Sequence, residues 1–279
     1  MNDVMTLESV LQKGTAILKK TGIEAPAVDA GAVMCHVLGC DRVYLYTKTG
    51  LEMTETNQRI FFELILLRSQ GMPVSYITGH REFMSLDFRV TPSVLIPRPE
   101  TEVLVEHAVY AAKEWKSNSE DLKDPLRILD IGTGSGCIAV SLAYYINNSV
   151  VTAADISAAA LEVARHNAAK NGVENKICFV ESDLFSGLKT NDLMFDMIVS
   201  NPPYIPHGQL QELMTEVREY EPMVALDGGR DGLSFYRRII EDSFVRISNG
   251  GMLLFEIGHG QMQAIKAIME ANGFQNIQE

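Results

Sequence analysis

The stretch Leu129-Asp130-Ile131-Gly132-Thr133-Gly134-Ser135-Gly136-Cys137 constrains the fold of this chain more than any other feature. Apolar residues lead into it, as in a buried strand, and the pattern after it reads as a helix. Three alternating glycines between a strand and a helix let the backbone take positive φ and approach a ligand closely. The helix N-terminus behind them presents unpaired N–H groups. A dinucleotide fingerprint requires glycine three residues after Gly134, where this chain has Cys137. The turn therefore predicts a strand–glycine–helix ligand site of another kind.

The surrounding pattern places that turn in an α/β sheet. Expected strands are 127–131, 150–154, 177–180, 195–200 and 252–256, and expected helices are 136–145, 158–171, 233–247 and 261–272. Such alternation implies a mostly parallel sheet covered on both faces, with ligands at the carboxyl ends of its strands. The first 75 residues read differently. Val4, Leu7, Leu11 and Leu18 recur at helical spacing behind Thr6. Pro26 opens a second helix that stops at Gly39, and Thr54 precedes a third that stops at Gly71. Short extended pieces at 81–84 and 87–90 predict a hairpin, and the polar stretch from Lys113 to Asp124 reads as a loop. The expected organisation is a helical domain over 1–75, a β-hairpin linker over 76–98 and an α/β domain over 99–279. The long stretch from Pro203 to Asp231 is expected to close over a substrate.

Charge excludes some partners. Residues 1–99 hold ten Lys/Arg and ten Asp/Glu, so residues 100–279 carry the whole net charge of −12. Duplex binding relies on clustered cations that neutralise phosphates, which this chain lacks, so no nucleic-acid partner is expected. The apolar run from Ile60 to Leu67 is short and interrupted by Glu63, so no membrane span is expected. Four cysteines without CxxC spacing and six scattered histidines predict a reducing, cytoplasmic setting and no bound metal. A monomer is the simplest expectation.

Candidate chemistry gathers at the ends of the predicted strands. Asp155 follows the second strand of the sheet and suits bonding to ribose hydroxyls. Asp183 follows the third and can accept from an adenine amino group, with Leu184 against the ring; a plain turn carboxylate is the other reading. The fourth strand, Phe195 to Ser200, runs directly into Asn201-Pro202-Pro203-Tyr204. Two consecutive prolines remove two N–H donors and fix φ at both positions. The Asn201 side-chain carbonyl and the Pro202 main-chain carbonyl can then accept from one substrate NH₂ group, with Tyr204 as an aromatic face for a planar ligand.

These residues carry a family resemblance. The LDIGTGSG turn resembles the first motif of class I methyltransferases, and with Asn-Pro-Pro-Tyr it is similar to amino-methyltransferases acting on DNA bases or on protein glutamine. Three further stretches resemble the PrmC/HemK family of peptide chain release factor N5-glutamine methyltransferases. They are Arg68 to Gly71 with Met72-Pro73-Val74-Ser75-Tyr76-Ile77-Thr78-Gly79, Leu95-Ile96-Pro97-Arg98-Pro99-Glu100-Thr101-Glu102, and Glu221-Pro222 with Ala225-Leu226-Asp227-Gly228-Gly229 and Asp231-Gly232-Leu233. The resemblance implies a class I, Rossmann-like S-adenosylmethionine methyltransferase sheet with a small helical N-terminal domain and a linking β-hairpin. It implies S-adenosyl-L-methionine as cofactor, S-adenosyl-L-homocysteine as product, and the Gly-Gly-Gln glutamine of release factors as substrate.

By the same resemblance, Gly132, Thr133, Gly134, Ser135 and Gly136 form the cofactor loop, Asp155 holds the ribose, and Asp183 and Leu184 border the adenine. Some relatives carry an aromatic residue where Leu184 stands. Asn201, Pro202, Pro203 and Tyr204 form the glutamine clamp, Asn201 also facing the cofactor, while Thr101 and Glu102 approach the cofactor's methionine end. Residues 1–75 are expected to contact the protein substrate. One further strand is expected after Ile277, with truncation of the sequence as an explanation for its absence. The alternatives are a DNA adenine-N6 methyltransferase, a dinucleotide-dependent oxidoreductase and a catalytically silent binding module.

Overall fold

A computed structural model describes residues 5–118, 124–188 and 194–279. Val4 and residues 119–123 of the expected polar loop lie outside the described residues. The chain divides into two compact units. One comprises Met1–His80 together with Met214–Tyr220; the other comprises Arg81–Leu213 and Glu221–Glu279.

The first unit is helical, with helices Leu7–Lys20, Pro26–Leu38, Arg42–Thr47, Glu55–Ser69 and Val74–Thr78. Its caps follow local chemistry: Thr6, Asp41 and Thr54 accept from the backbone N–H groups of Ser9, Tyr44 and Asn57. Gly39, at φ 61°, ends the second helix in the left-handed conformation. Leu7, Leu18, Val33, Met34, Phe61 and Ile65 are fully buried. Each such side chain contributes about 1.5–3 kcal/mol of burial. Two short helices, Arg42–Thr47 and Val74–Thr78, are too brief for a periodic signal, and the second spans the boundary expected at 75/76.

Arg68 is buried in this unit and fully engaged. It donates to Asp29 at 2.7 Å, to Glu216 at 2.8 Å and to the Met72 carbonyl at 3.2 Å. Glu216 lies in the Met214–Tyr220 segment, whose Tyr220 hydroxyl donates to the Gln70 carbonyl. The stretch from Pro203 to Asp231 is thus no single free loop. Its middle belongs to the helical unit, and it contains short helical turns at His207–Glu212, Thr215–Arg218 and Met223–Ala225.

The hairpin, β1 (His80–Phe83) and β2 (Leu86–Arg89), belongs to the second unit from Arg81 onward. Met84 and Ser85 turn it at φ 51° and 56°, values that non-glycine residues rarely adopt. Two bonds hold the turn: Met84 N–H donates to Glu102 Oε1 at 2.7 Å, and the Tyr145 hydroxyl donates to the Met84 carbonyl at 2.6 Å. The helix Pro99–Asn118 continues through the start of the expected polar loop.

The sheet contains β3 (Leu126–Ile131), β4 (Ser149–Asp155), β5 (Ile177–Glu181), β6 (Phe195–Ser200) and β7 (Ile247–Phe255), all parallel, in the order β5-β4-β3-β6-β7. Helices Cys137–Tyr145, Ala158–Lys170, Ser234–Phe244 and Met262–Ala271 accompany it. The helix expected to reach Ile247 ends at Phe244, and β7 starts at Ile247, so this strand is longer than its sequence pattern suggests. No strand follows Ile277 among the described residues.

Register decides where the chemistry falls. Val180, Ala154, Ile131, Ser200 and Phe255 pair across the five strands. The next residues along these chains are Glu181, Asp155, Gly132, Asn201 and Glu256. Neighbouring strands lie about 4.8 Å apart, so Gly132, Asn201 and Glu256 emerge side by side. The connectivity reverses between β3 and β6, the position where open parallel sheets form ligand crevices.

Candidate active site

A cavity of about 290 Å³ opens at these carboxyl ends, wholly within the second unit. Its wall contains Gly132, Thr133, Gly134, Ser135, Asp155, Asp183, Leu184, Thr101, Asn201, Pro202 and Pro203. Nearly every residue singled out in the sequence therefore reaches one cavity. Gly136 and Tyr204 do not line it.

The glycine turn is shaped by what its residues lack. Gly132 sits at φ 73°, and a Cβ there would meet nothing within 4 Å, so the missing side chain keeps the cavity open. Gly136 has another role: a Cβ would lie 3.0 Å from the Ala164 Cβ, so this glycine lets two helices approach. Asp130 anchors the turn from below. It is fully buried, and its Oδ2 accepts from the Thr133 hydroxyl at 2.6 Å and the Ala139 N–H at 3.1 Å. Burial pushes its pKa up to about 7 against the pull of those two bonds. Asn167, also fully buried, donates to the Ser135 and Arg89 carbonyls and accepts from the Arg89 N–H.

Asp155 accepts from Gly134 N–H at 2.8 Å through one oxygen and from Ser157 N–H at 2.9 Å through the other. A carboxylate has about four acceptor directions, so each oxygen retains room for a hydroxyl donor. Asp183 pairs with Arg238 at 2.8 Å, an ion pair that is half exposed. Leu184 adopts φ 52° beside it and is buried. Ile156 and Phe235 supply apolar wall that sequence reading did not find. The geometry suits a flat heterocycle bearing a sugar, with the open glycine turn next to it.

At the other end, Asn201 and Pro202 leave β6. The Asn201 Nδ2 donates to Thr101 Oγ1 at 3.2 Å, and the Thr101 hydroxyl donates to Glu256 Oε2 at 2.6 Å. Burial raises the Glu256 pKa, and its polar interactions with Thr101 and Asn201 pull against that rise. Among the described residues, none donates to the Pro202 carbonyl or to Asn201 Oδ1. Thr101 is thus on the wall, whereas Glu102, expected beside it, is committed to the hairpin turn. Tyr204 packs against the cluster of Leu233, Tyr236 and Ile240, and its carbonyl accepts from Gln261 Nε2 at 3.0 Å. Its side chain is half-buried and is not part of the cavity wall, while Glu256, Arg98 and Glu100 act electrostatically on its hydroxyl. Gly228 lets its own segment approach this backbone closely, since a Cβ there would come within 2.8 Å of the Pro203 carbonyl and Tyr204 backbone. Arg98 on the cavity wall and Glu221, from two separate motifs, form an ion pair that joins the Leu95–Glu102 motif to the stretch after Tyr220.

Comparison with known proteins fits this geometry. Residues 9–79 match the PrmC N-terminal domain family, and residues 101–219 match the methyltransferase small domain family. The chain is 41% identical to the release factor glutamine methyltransferase of Rhodopirellula baltica, over 96% of this chain and 89% of that protein. It is 36% identical to the release factor glutamine methyltransferase of Clostridium botulinum, over 98% of this chain and 94% of that protein. Among solved structures, the hMettl16 catalytic domain in complex with MAT2A 3'UTR hairpin 6 shares the fold, with a TM-score of 0.54 and 18% identity, covering 77% of this chain and 75% of that one. No described helix is long and apolar enough to cross a membrane.

Proposed function

The chain belongs to the PrmC/HemK family of release factor glutamine methyltransferases, and from that premise we propose that it methylates the side-chain amide nitrogen of the Gly-Gly-Gln glutamine in peptide chain release factors. The observation that carries this reading is the adjacency of the open glycine turn and the Asn201–Pro202 pair at the ends of two paired strands.

S-adenosylmethionine, when bound, supplies a sulfonium methyl as the electrophile. The residues that would hold it are the 132–135 turn at its backbone end, Asp155 at the ribose and Asp183 with Leu184 at the adenine. The open space at Gly132 and the spare acceptor capacity of Asp155 fit such a ligand.

The clamp addresses the difficulty of the substrate. An amide nitrogen is a poor nucleophile because its lone pair is delocalised, as the ~18–20 kcal/mol barrier to amide rotation indicates. Asn201 Oδ1 and the Pro202 carbonyl accept one N–H each, fixing the nitrogen and favouring a more pyramidal geometry. Orientation of this kind contributes up to roughly 7–11 kcal/mol in well-aligned systems. Asn201 is neutral, so it orients and polarises without removing the proton, which leaves to water after the N–C bond forms. A monomethylated amide has one N–H left and cannot satisfy both acceptors, so the reaction stops at one methyl.

A DNA substrate is disfavoured by the −12 net charge borne by residues 100–279. The test is methyl transfer from labelled S-adenosylmethionine to a purified release factor, to the same factor with its Gly-Gly-Gln glutamine replaced, and to duplex DNA. Label on the first alone is expected. Label that persists after the replacement contradicts the substrate assignment.

A further inference from the structure

The Asn201 side chain has an ambiguity of its own. Its oxygen and nitrogen are nearly the same size, and packing alone hardly distinguishes one orientation from the other. Only the orientation with oxygen towards the substrate provides an acceptor. The reverse sets an NH₂ against an NH₂, two donors with nothing to accept them.

Resting on the glutamine reading above, we propose that Glu256 is a positioning residue that, through Thr101, holds Asn201 with its oxygen towards the reacting amide. An ionised carboxylate only accepts, so the Thr101 hydroxyl must donate to it, as the 2.6 Å contact with Oε2 indicates. With its proton so committed, the Thr101 oxygen can only accept from Asn201, and only Nδ2 can donate to it, at 3.2 Å. The chain of donors runs one way, from amide to hydroxyl to carboxylate. It also draws density from the nitrogen side of the Asn201 amide and makes its oxygen a better acceptor.

The polarity depends on the charge of Glu256. Once protonated, the carboxyl can donate to Thr101, whose own proton then turns to Asn201 and selects its oxygen, reversing the amide. Burial raises the Glu256 pKa and Glu100 adds to that, while the bond from Thr101, the neighbouring Asn201 amide and the nearby Arg98 lower it. The other ionisable groups that act with it are Tyr204, Tyr236 and Cys137. Burial holds all three above their ordinary values, the Cys137 thiol at about 12, so they stay neutral where Glu256 titrates. The active form is the ionised one, and activity falls as pH drops through the raised Glu256 pKa.

Glu256→Gln keeps the size and removes the fixed polarity. The backbone of Glu256 is held independently, its N–H on the Ser200 carbonyl and its carbonyl on the Tyr236 hydroxyl, so the variant should fold. The expected result, with a release factor as substrate, is a single-turnover rate roughly 10–100-fold lower with unchanged affinity for S-adenosylhomocysteine, and loss of the acidic limb of the pH–rate profile. Thr101→Val should lose a similar factor and Thr101→Ser should recover most of it, which keeps the idea testable if Glu256→Gln fails to fold. Glu100→Gln should keep the acidic limb and move it to lower pH. A Glu256→Gln enzyme with the wild-type rate and the wild-type acidic limb, or Thr101→Val as fast as Thr101→Ser, overturns the inference while leaving the glutamine reading intact. A wild-type enzyme that does not label the glutamine overturns both.

Discussion

The two ends of the cavity are built by opposite means. At the glycine turn the working parts are backbone, and the side chains are small or absent; Gly132 matters for the space a Cβ would fill. At the proposed clamp one of the two acceptors is a side chain, and it stays in place through Thr101 and Glu256, which lie 100 and 55 positions away in sequence. A backbone site is as rigid as the sheet that ends in it. A side-chain site is as precise as the hydrogen bonds behind it, and it fails when one of them reverses. Substitutions at the two ends should therefore damage different steps, binding at one and methyl transfer at the other.

The largest effect is expected from Asn201→Ala. It removes one of two acceptors and should lower the single-turnover rate by on the order of 10³-fold, as loss of one oriented group does elsewhere. Affinity for S-adenosylhomocysteine, measured by calorimetry, should stay within a few-fold of wild type. Gly132→Val should do the converse. It fills the open space and forces a branched residue to φ 73°, so affinity should fall about 100-fold, or ~2.7 kcal/mol. Equal damage to binding and rate in both variants would erase the contrast between the ends.

Two smaller changes sharpen it. Asn167→Leu strips the Ser135 and Arg89 carbonyls and the Arg89 N–H of their buried partner. Urea unfolding should report a loss of about 2 kcal/mol, within the range for unsatisfied buried groups. Asp155→Asn leaves a single acceptor oxygen for both Gly134 and Ser157, and should weaken S-adenosylhomocysteine binding about tenfold, or ~1.4 kcal/mol, with little change in the rate of bound enzyme. A rate that collapses with Asp155→Asn would place this carboxylate at the reacting end.

The same contrast explains what the sequence disclosed. The strands of the sheet were legible to within a residue or two except at β7, because continuous apolar runs bounded by glycine or polar turns leave few other foldings. The glycine turn and Asn201-Pro202-Pro203 were legible because their chemistry is contiguous in the chain. Glu256 was not, although it ends an expected strand. Its meaning arises only from the pairing of Ser200 with Phe255, which puts it beside Asn201. Glu102 shows the opposite case: it sits within an informative motif, but its carboxylate holds a hairpin turn. Arg68 was visible as a residue, but its partner Glu216 lies 148 positions away. Local pattern shows which residues sit at strand ends; register and long-range pairing show which of them act together.

The central claim is that two oxygens, Asn201 Oδ1 and the Pro202 carbonyl, hold the two N–H bonds of one glutamine amide. Its most direct test is a crystal structure with S-adenosylhomocysteine and a Gly-Gly-Gln release-factor domain. The account predicts the glutamine nitrogen within hydrogen-bond distance of both oxygens, on a line to the sulfur. A glutamine nitrogen bonded to neither, or an Asn201 side chain turned so that its nitrogen faces the substrate, would contradict it.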